Sequence, residues 1–508
     1  MMPAEPDANQ GQISATPLTP PVIPPPENGS NGGLSIAPAD PMPFSWRIGI
    51  GVAISVLLIL AYVLRDQIGV RGQSVAGVVF FFGLVAMFST NLRLVNWHTI
   101  YWGFGLQLVL AVLVLKVPII YEALTKVGEV MKAFIGFSDE GAKFVFGNLA
   151  VPGDIALNPG VEFLFIFAFK ALPPILFVSA FFTVLYHFGV LQWCVRLMAR
   201  GMVYLMGTSG AETLSVSANV FMGQTEAPLI VKPYVPRMTN SELFTLMASG
   251  MAHISGGMMV VYINYGADPV AVLTTSVMAC PCSLYLSKLF LPETGTPVTA
   301  GSVEMKQDKS PYVNAIDAAA AGTSDGLRLA LNVAAMLIVF IAFVAMFNGI
   351  LGQIKPSLIW LGVSAEALTT WPDDLSLGTI FGWLFAPAAF LMGVEASDME
   401  KVGSLLGAKL SINEHYAYLQ MKKLLPVLDP QTQEIITAGK MSARSFKLTA
   451  FALTGFANFA SIGIQLGGIG ALAPERRHDL ARLGGRALFV GFVATLLNSS
   501  IAGVLIDD

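Results

Sequence analysis

Charge is what this sequence has least of: Asp, Glu, Lys and Arg make up 12% of its 508 residues, while 54% are hydrophobic. A soluble domain carries about 25% charged residues, so a chain this long cannot cover itself with a water-facing surface from so few. A mean hydropathy of +0.66 leaves surplus apolar area that must face lipid. The net charge of −4 and a pI near 5.8 supply no basic field to hold nucleic acid. Cysteine is nearly absent too. Cys194, Cys280 and Cys282 are the only three, and the single residue between the last two makes neither a C-x-x-C redox spacing nor a zinc framework. We read all three as packing residues. Of five histidines, only His253 and His415 stand beside unusual sequence.

From Met1 to Met42 there is no Lys or Arg, and Pro, Gly, Asn and Ala predominate. A secretory signal needs a positive start followed by an apolar core, so residues 1–45 read instead as a disordered, Pro-rich tail. Beyond the tail, apolar stretches approach the length of about 20 residues that crosses a bilayer. We expect nine spans, at 46–64, 75–90, 99–116, 161–193, 243–264, 269–290, 327–349, 444–470 and 484–505. The fourth is too long for one straight helix, and Lys170 with Pro173-Pro174 predicts a kink after an amphipathic lead-in. Arg476, Arg477, Arg482 and Arg486 lie between the last two spans, which puts that loop in the cytoplasm. Counting back through the spans places the tail there as well.

Two stretches, 208–238 and 376–424, are apolar enough to enter the membrane but are interrupted by Gly, Pro and isolated polar residues. Irregular backbone at that depth is tolerated only where protein or a water-filled cavity satisfies it. Each stretch precedes a long, polar-dotted span, so a re-entrant hairpin followed by a broken helix occurs twice. Paired interruptions of this kind point to the binding site of a carrier.

Glu226 is the only charge from Thr213 to Val231, and Glu414 is the lone acid between Lys409 and Lys422. An acid at membrane depth is costly and marks function. Gly223 permits a break before Glu226, and Pro228 cannot continue an earlier helix. The span from Thr449 to Pro474 carries no charge but holds Asn458, Ser461 and Gln465 among glycines. Carboxylates, amides and hydroxyls without a fixed positive charge suit a neutral, donor-rich ligand. One carboxylate can accept both protons of a sugar diol, and an amide such as Gln224 matches the mixed edge of a base. A channel would use rings of like residues, and an intramembrane hydrolase would need a metal cluster or a nucleophile and base. The residues favour a carrier, not an enzyme.

At this point the motifs become specific. Gly223-Gln-Thr-Glu-Ala-Pro-Leu229, Asn413-Glu414 with Ala417-Tyr418, and Gly455-Phe-Ala-Asn-Phe-Ala-Ser-Ile-Gly463 resemble the concentrative nucleoside transporter family. Leu291-Pro-Glu-Thr294, Ala315-Ile-Asp-Ala-Ala-Ala320 and Gly467-Gly-Ile-Gly-Ala-Leu-Ala-Pro474 do so too. The resemblance implies an all-α polytopic membrane protein with an eight-span core and two re-entrant helical hairpins, here with one added N-terminal span. It further implies a homotrimer in the inner (plasma) membrane that imports nucleosides by an elevator-type movement. The corresponding division is a tail at 1–45, mostly scaffold helices at 46–200, and the first hairpin with transport helices at 201–300. A linker and scaffold helix at 301–350 and the second hairpin with transport helices at 351–508 complete it.

Carried across by motif, Gln224, Thr225 and Glu226 face the base; Glu414, Asn458 and Ser461 hold the ribose; Phe456 lines the site. Met258 stands where the family commonly has a smaller residue and narrows the base pocket. No covalent cofactor is implied. The coupling ion is sodium, held by the Asn219 side chain, the Met222 carbonyl and the positions of His253 and Ile254. His253 departs from the usual hydroxyl residue, and a protonated imidazole would replace sodium's charge, making the carrier proton-coupled. A carrier of another neutral solute, such as a free nucleobase, is the nearest alternative.

Overall fold

A computed structural model describes residues 42–150, 167–170, 172–301, 312–368, 372, 375–425, 427–428, 435–437 and 439–506. Helix dominates. In chain order the long elements begin with α1 (Phe44–Val63), α2 (Arg65–Met87), α3 (Trp97–Lys116) and α4 (Pro118–Phe146). They continue with α5 (Leu172–His187), α6 (Val190–Met206), α7 (Gly210–Ala218), α8 (Asn240–Ala252), α9 (Gly256–Asn264) and α10 (Pro269–Phe290). The remainder are α11 (Ala315–Gly352), α12 (Leu377–Leu391), α13 (Met399–Ser411), α14 (Glu414–Lys422), α15 (Ala443–Leu453), α16 (Phe459–Leu472) and α17 (Arg477–Leu505). One small antiparallel pair, Val427–Leu428 with Ile435–Thr437, is the strand content among the described residues.

Seven of these helical stretches are long and apolar enough to cross a membrane, or eight when α5 and α6 are taken together. This is fewer than the nine expected spans. The first span opens two residues early, with α1 starting at Phe44 after Pro43, and residues 1–41 of the expected tail lie outside the described residues. The kink assigned to Pro173-Pro174 lies elsewhere. Those prolines occupy the first turn of α5, where a missing N–H costs nothing. The 74° bend instead follows at Phe188–Gly189, with Gly189 at φ 78°. Of the lead-in expected before it, Phe167–Lys170 is a short helix, and residues 161–166 and 171 lie outside the described residues. The stretch 444–470 is interrupted, as the reading of a broken helix after each hairpin expects: it stops at Leu453 and restarts at Phe459, just as 243–264 stops at Ala252 and restarts at Gly256. Sequence reading also passed over α4, whose Glu122, Lys126, Glu129 and Lys132 recur at helical spacing along one face.

The interruptions have local causes. α7 ends at Ala218, and helix resumes at Ala227 with Pro228 in its first turn, leaving an eight-residue tip at 219–226. α8 stops at Ala252 and α9 restarts under Ser255, whose hydroxyl accepts from the Met258 N–H. α14 begins under Asn413 and α16 under Asn458, whose side-chain oxygens accept from Tyr416 N–H at 2.8 Å and Ser461 N–H at 2.9 Å. The breaks meet one another. The Phe456 N–H donates to the His253 carbonyl at 3.0 Å, and the Gly256 N–H donates to the Phe221 carbonyl at 3.0 Å. Gly455, at φ 149°, lies against the Ala252 carbonyl, where a Cβ would come within 3.0 Å. Two broken helices and the first tip are thus joined through main-chain groups that the breaks released.

α17 and α10 form the buried centre, and the base of α7 is anchored there by charge. α7 and α8 both open on capping boxes, Ser209 with Glu212 and Thr239 with Glu242. Lys288 of α10 reaches Glu212 Oε2 at 2.7 Å and Glu293 Oε2 at 3.4 Å, while Ser209 Oγ donates to Glu242 Oε1 at 2.5 Å. The contact of Lys288 with Glu212 is a buried ion pair. Breaking a buried pair by removing one partner costs about 3–5 kcal/mol. Lys288→Met should therefore lower the Tm in detergent by several degrees, and an unchanged melting curve would dismiss the anchor.

Candidate ligand-binding site

The helix breaks and tips place polar side chains in two adjoining groups. In the first, Glu414 is 4% exposed and accepts from Tyr262 Oη at 2.8 Å on one oxygen and from Asn458 Nδ2 at 2.9 Å on the other. Asn458 also caps α16 through Ser461, so one amide ties the carboxylate to the helix start. Ser461 Oγ accepts from Gln224 Nε2 at 3.1 Å, and Gln224 Oε1 accepts from Gln465 Nε2 at 3.1 Å. Gln465 in turn donates to the Met247 carbonyl at 3.0 Å. Thr225 packs on α16 opposite Gly468, where a Cβ would meet its methyl at 2.7 Å. Phe456 is half-buried beside this chain.

The second group surrounds a cavity of about 340 Å³. Met222, Glu226, Ser255 and Met258 form one wall, and Thr183, Tyr186, Tyr312 and Asp325 stand on the other. Glu226 is exposed to this space, with one oxygen held by the Gly223 N–H at 3.0 Å. The two lone acids therefore sit in different surroundings: Glu414 in a closed network, Glu226 at an open wall.

The expected ion residues lie next to both groups. Asn219 Nδ2 donates to Ser249 Oγ at 3.0 Å, while its Oδ1 is buried with no hydrogen-bond donor. Leaving such an acceptor unsatisfied is costly, and a hard cation is a ligand that fits it. The His253 ring turns toward α10, with Nδ1 2.8 Å from the Ser249 carbonyl and Nε2 3.4 Å from Cys280 Sγ. Asn219 and His253 thus meet different groups of Ser249, its hydroxyl and its carbonyl. Ile254 is fully buried and Met222 is half-buried on the cavity wall.

Sequence reasoning missed Tyr262, which lies in an unbroken apolar run, and gave Gln465 no role. Tyr262 stacks on Tyr418 at 4.4 Å, and His415 joins the same cluster through Tyr265 Oη at 3.0 Å. A buried tyrosine needs a partner for its hydroxyl, which was the available signal. Ser249 gave none.

Family models match the chain along most of its length: the Na+ dependent nucleoside transporter N-terminus over 76–149, nucleoside recognition over 168–268, and the Na+ dependent nucleoside transporter C-terminus over 271–503. An uncharacterized transporter of Haemophilus influenzae is 38% identical over 440 residues, 85% of this chain and 97% of that one. Human sodium/nucleoside cotransporter 1 is 38% identical over 434 residues, 85% of this chain and 63% of that one. Mouse solute carrier family 28 member 3 is 36% identical over 436 residues, and the chain spans 59% of its length. These relatives are transporters by name, not enzymes. The solved structure of CNTnw in an inward-facing substrate-bound state superposes with a TM-score of 0.75 at 36% identity, over 86% of this chain and 98% of that one. A CNTnw variant in an intermediate state gives 0.77 at 35% identity, over 86% and 100%. With its multi-pass helical fold, the chain belongs to the concentrative nucleoside transporter family.

Proposed function

We propose that this protein imports nucleosides together with a coupling cation, as a homotrimer in the plasma (inner) membrane with its tail in the cytoplasm. The observation that carries the reading is the Glu414 carboxylate, met by two neutral donors and no Lys or Arg ion pair among the described residues. A ribose diol offers the same pair of donors. In this reading Asn458 and Ser461 complete the ribose half-site and Phe456 lines it. Gln224, Thr225, Glu226 and Met258 face the base. α7 to α10 and α12 to α17, with hairpin tips at 219–226 and 412–413, form the transport domain. α2 to α6 and α11 form the scaffold against which it moves, and α1 is the added span.

Sodium is the proposed coupling ion, supported by the orphaned Asn219 Oδ1 and the family's sodium dependence. Met222 and Ile254 carbonyls would complete its shell. The rival is proton coupling through His253, favoured by its place beside Ser249, whose hydroxyl accepts from Asn219 and whose carbonyl lies 2.8 Å from His253 Nδ1. A His253→Ser variant separates them: sodium-driven uptake that persists leaves the histidine a neighbour of the ion, whereas loss of a proton-driven component makes it the coupling group. The direct test is uptake of labelled uridine and adenosine into proteoliposomes under a sodium or a proton gradient. Accumulation under sodium alone is expected. Accumulation under neither gradient would overturn the reading.

A further inference from the structure

We propose that Asp325, on α11, is a specificity residue that selects bases presenting an amino edge. The proposal rests on the reading that the 340 Å³ cavity receives the nucleobase.

Asp325 is set rigidly at the cavity wall. Gly322 and Gly326 on either side of it press α11 onto α5, where a Cβ on the first would come 2.8 Å from Ala180 Cα and on the second 2.9 Å from Leu176 Cα. Small residues at this spacing allow helices in a membrane to approach closely. The crossing carries Asp325 on its flank, exposed to the cavity and within electrostatic range of Glu226 on the opposite wall. Among the described residues no Lys or Arg lines that space.

Two carboxylates facing each other accept hydrogen bonds and cannot donate them. Like charges across a cavity also repel, and a ligand edge rich in N–H groups relieves that repulsion. The exocyclic amine of cytidine or adenosine supplies two donors. Uridine places a carbonyl oxygen where cytidine has its amine, and lone pairs there face lone pairs. Cytidine and uridine share the ribose and the ring size, so Glu414, Asn458 and the cavity volume cannot distinguish them. A carboxylate fixed to the far wall can.

The experiment is competition between labelled cytidine and uridine in proteoliposomes holding the wild-type chain, Asp325→Asn or Asp325→Ser. The wild type should favour cytidine, and the asparagine variant should lower the cytidine-to-uridine ratio of kcat/KM about tenfold, as expected for one charge-assisted hydrogen bond. The serine variant should shift it in the same direction. An equal ratio in all three proteins, a wild-type preference for uridine, or loss of both substrates in both variants would overturn the assignment. A wild type that transports neither nucleoside would instead defeat the reading on which it rests.

Discussion

Glu414→Gln should abolish nucleoside uptake while the protein accumulates and melts as the wild type does. The carboxylate accepts a hydrogen bond from Tyr262 on one oxygen and from Asn458 on the other. An amide keeps the shape but turns one of those acceptors into a donor, so one neighbour meets a donor instead of a lone pair. A hydrogen bond to a charged group contributes about 1.5–3 kcal/mol, and two such contacts with a substrate diol amount to about a 100-fold loss or more. The readout is initial uptake at saturating cation. Asn458→Ala should lose uptake as well, with an added destabilisation of about 1 kcal/mol because Asn458 also caps α16. Transport by Glu414→Gln with an unaltered KM would remove the ribose assignment.

The second large effect is expected at Asn219. Its Oδ1 is a buried acceptor with no donor, while its Nδ2 is fixed on Ser249. The tip that carries it, 219–226, also carries Gln224, Thr225 and Glu226. A cation held there orders the tip, so nucleoside binds more tightly in its presence, and linkage makes the effect reciprocal. Asn219→Ala should remove the dependence of nucleoside affinity on sodium. Uridine binding measured in sodium and in choline should give clearly different Kd values for the wild type and one common, weaker value for the variant. A variant that keeps the full sodium dependence would place the ion elsewhere.

Much of this architecture can be read from the chain. The scarcity of charge requires lipid around the fold. Glu226 and Glu414 stand out because each is a lone acid in apolar surroundings, and Gly223 and Pro228 mark the tip before any coordinates are consulted. Asn413 and Asn458 stood out as polar residues of the motifs, and the structure adds that each caps a restarting helix, its short amide side chain satisfying an exposed N–H group. Proline misled at Pro173-Pro174, because its effect depends on whether it falls in the first turn or the interior of a helix.

Partnership was not legible. Tyr262 lies 152 residues from Glu414, and Gln224 lies 237 from Ser461, separations that no local period encodes. In a soluble protein an apolar stripe marks the face that packs. Here lipid and core are equally apolar, so hydropathy places α17 in the membrane but does not say which of its faces is buried. The sequence alone determined that the protein is a membrane carrier of the nucleoside-transporter type and named most of the polar groups at its two interruptions. Only the tertiary structure decided that Glu414 is enclosed by Tyr262 and Asn458 while Glu226 faces a cavity bounded by Asp325. It also decided that the His253 ring lies between the Ser249 carbonyl and Cys280. Those distinctions arise where helices far apart in the chain exchange the hydrogen bonds their breaks set free, and such bonds are settled by contact rather than by composition.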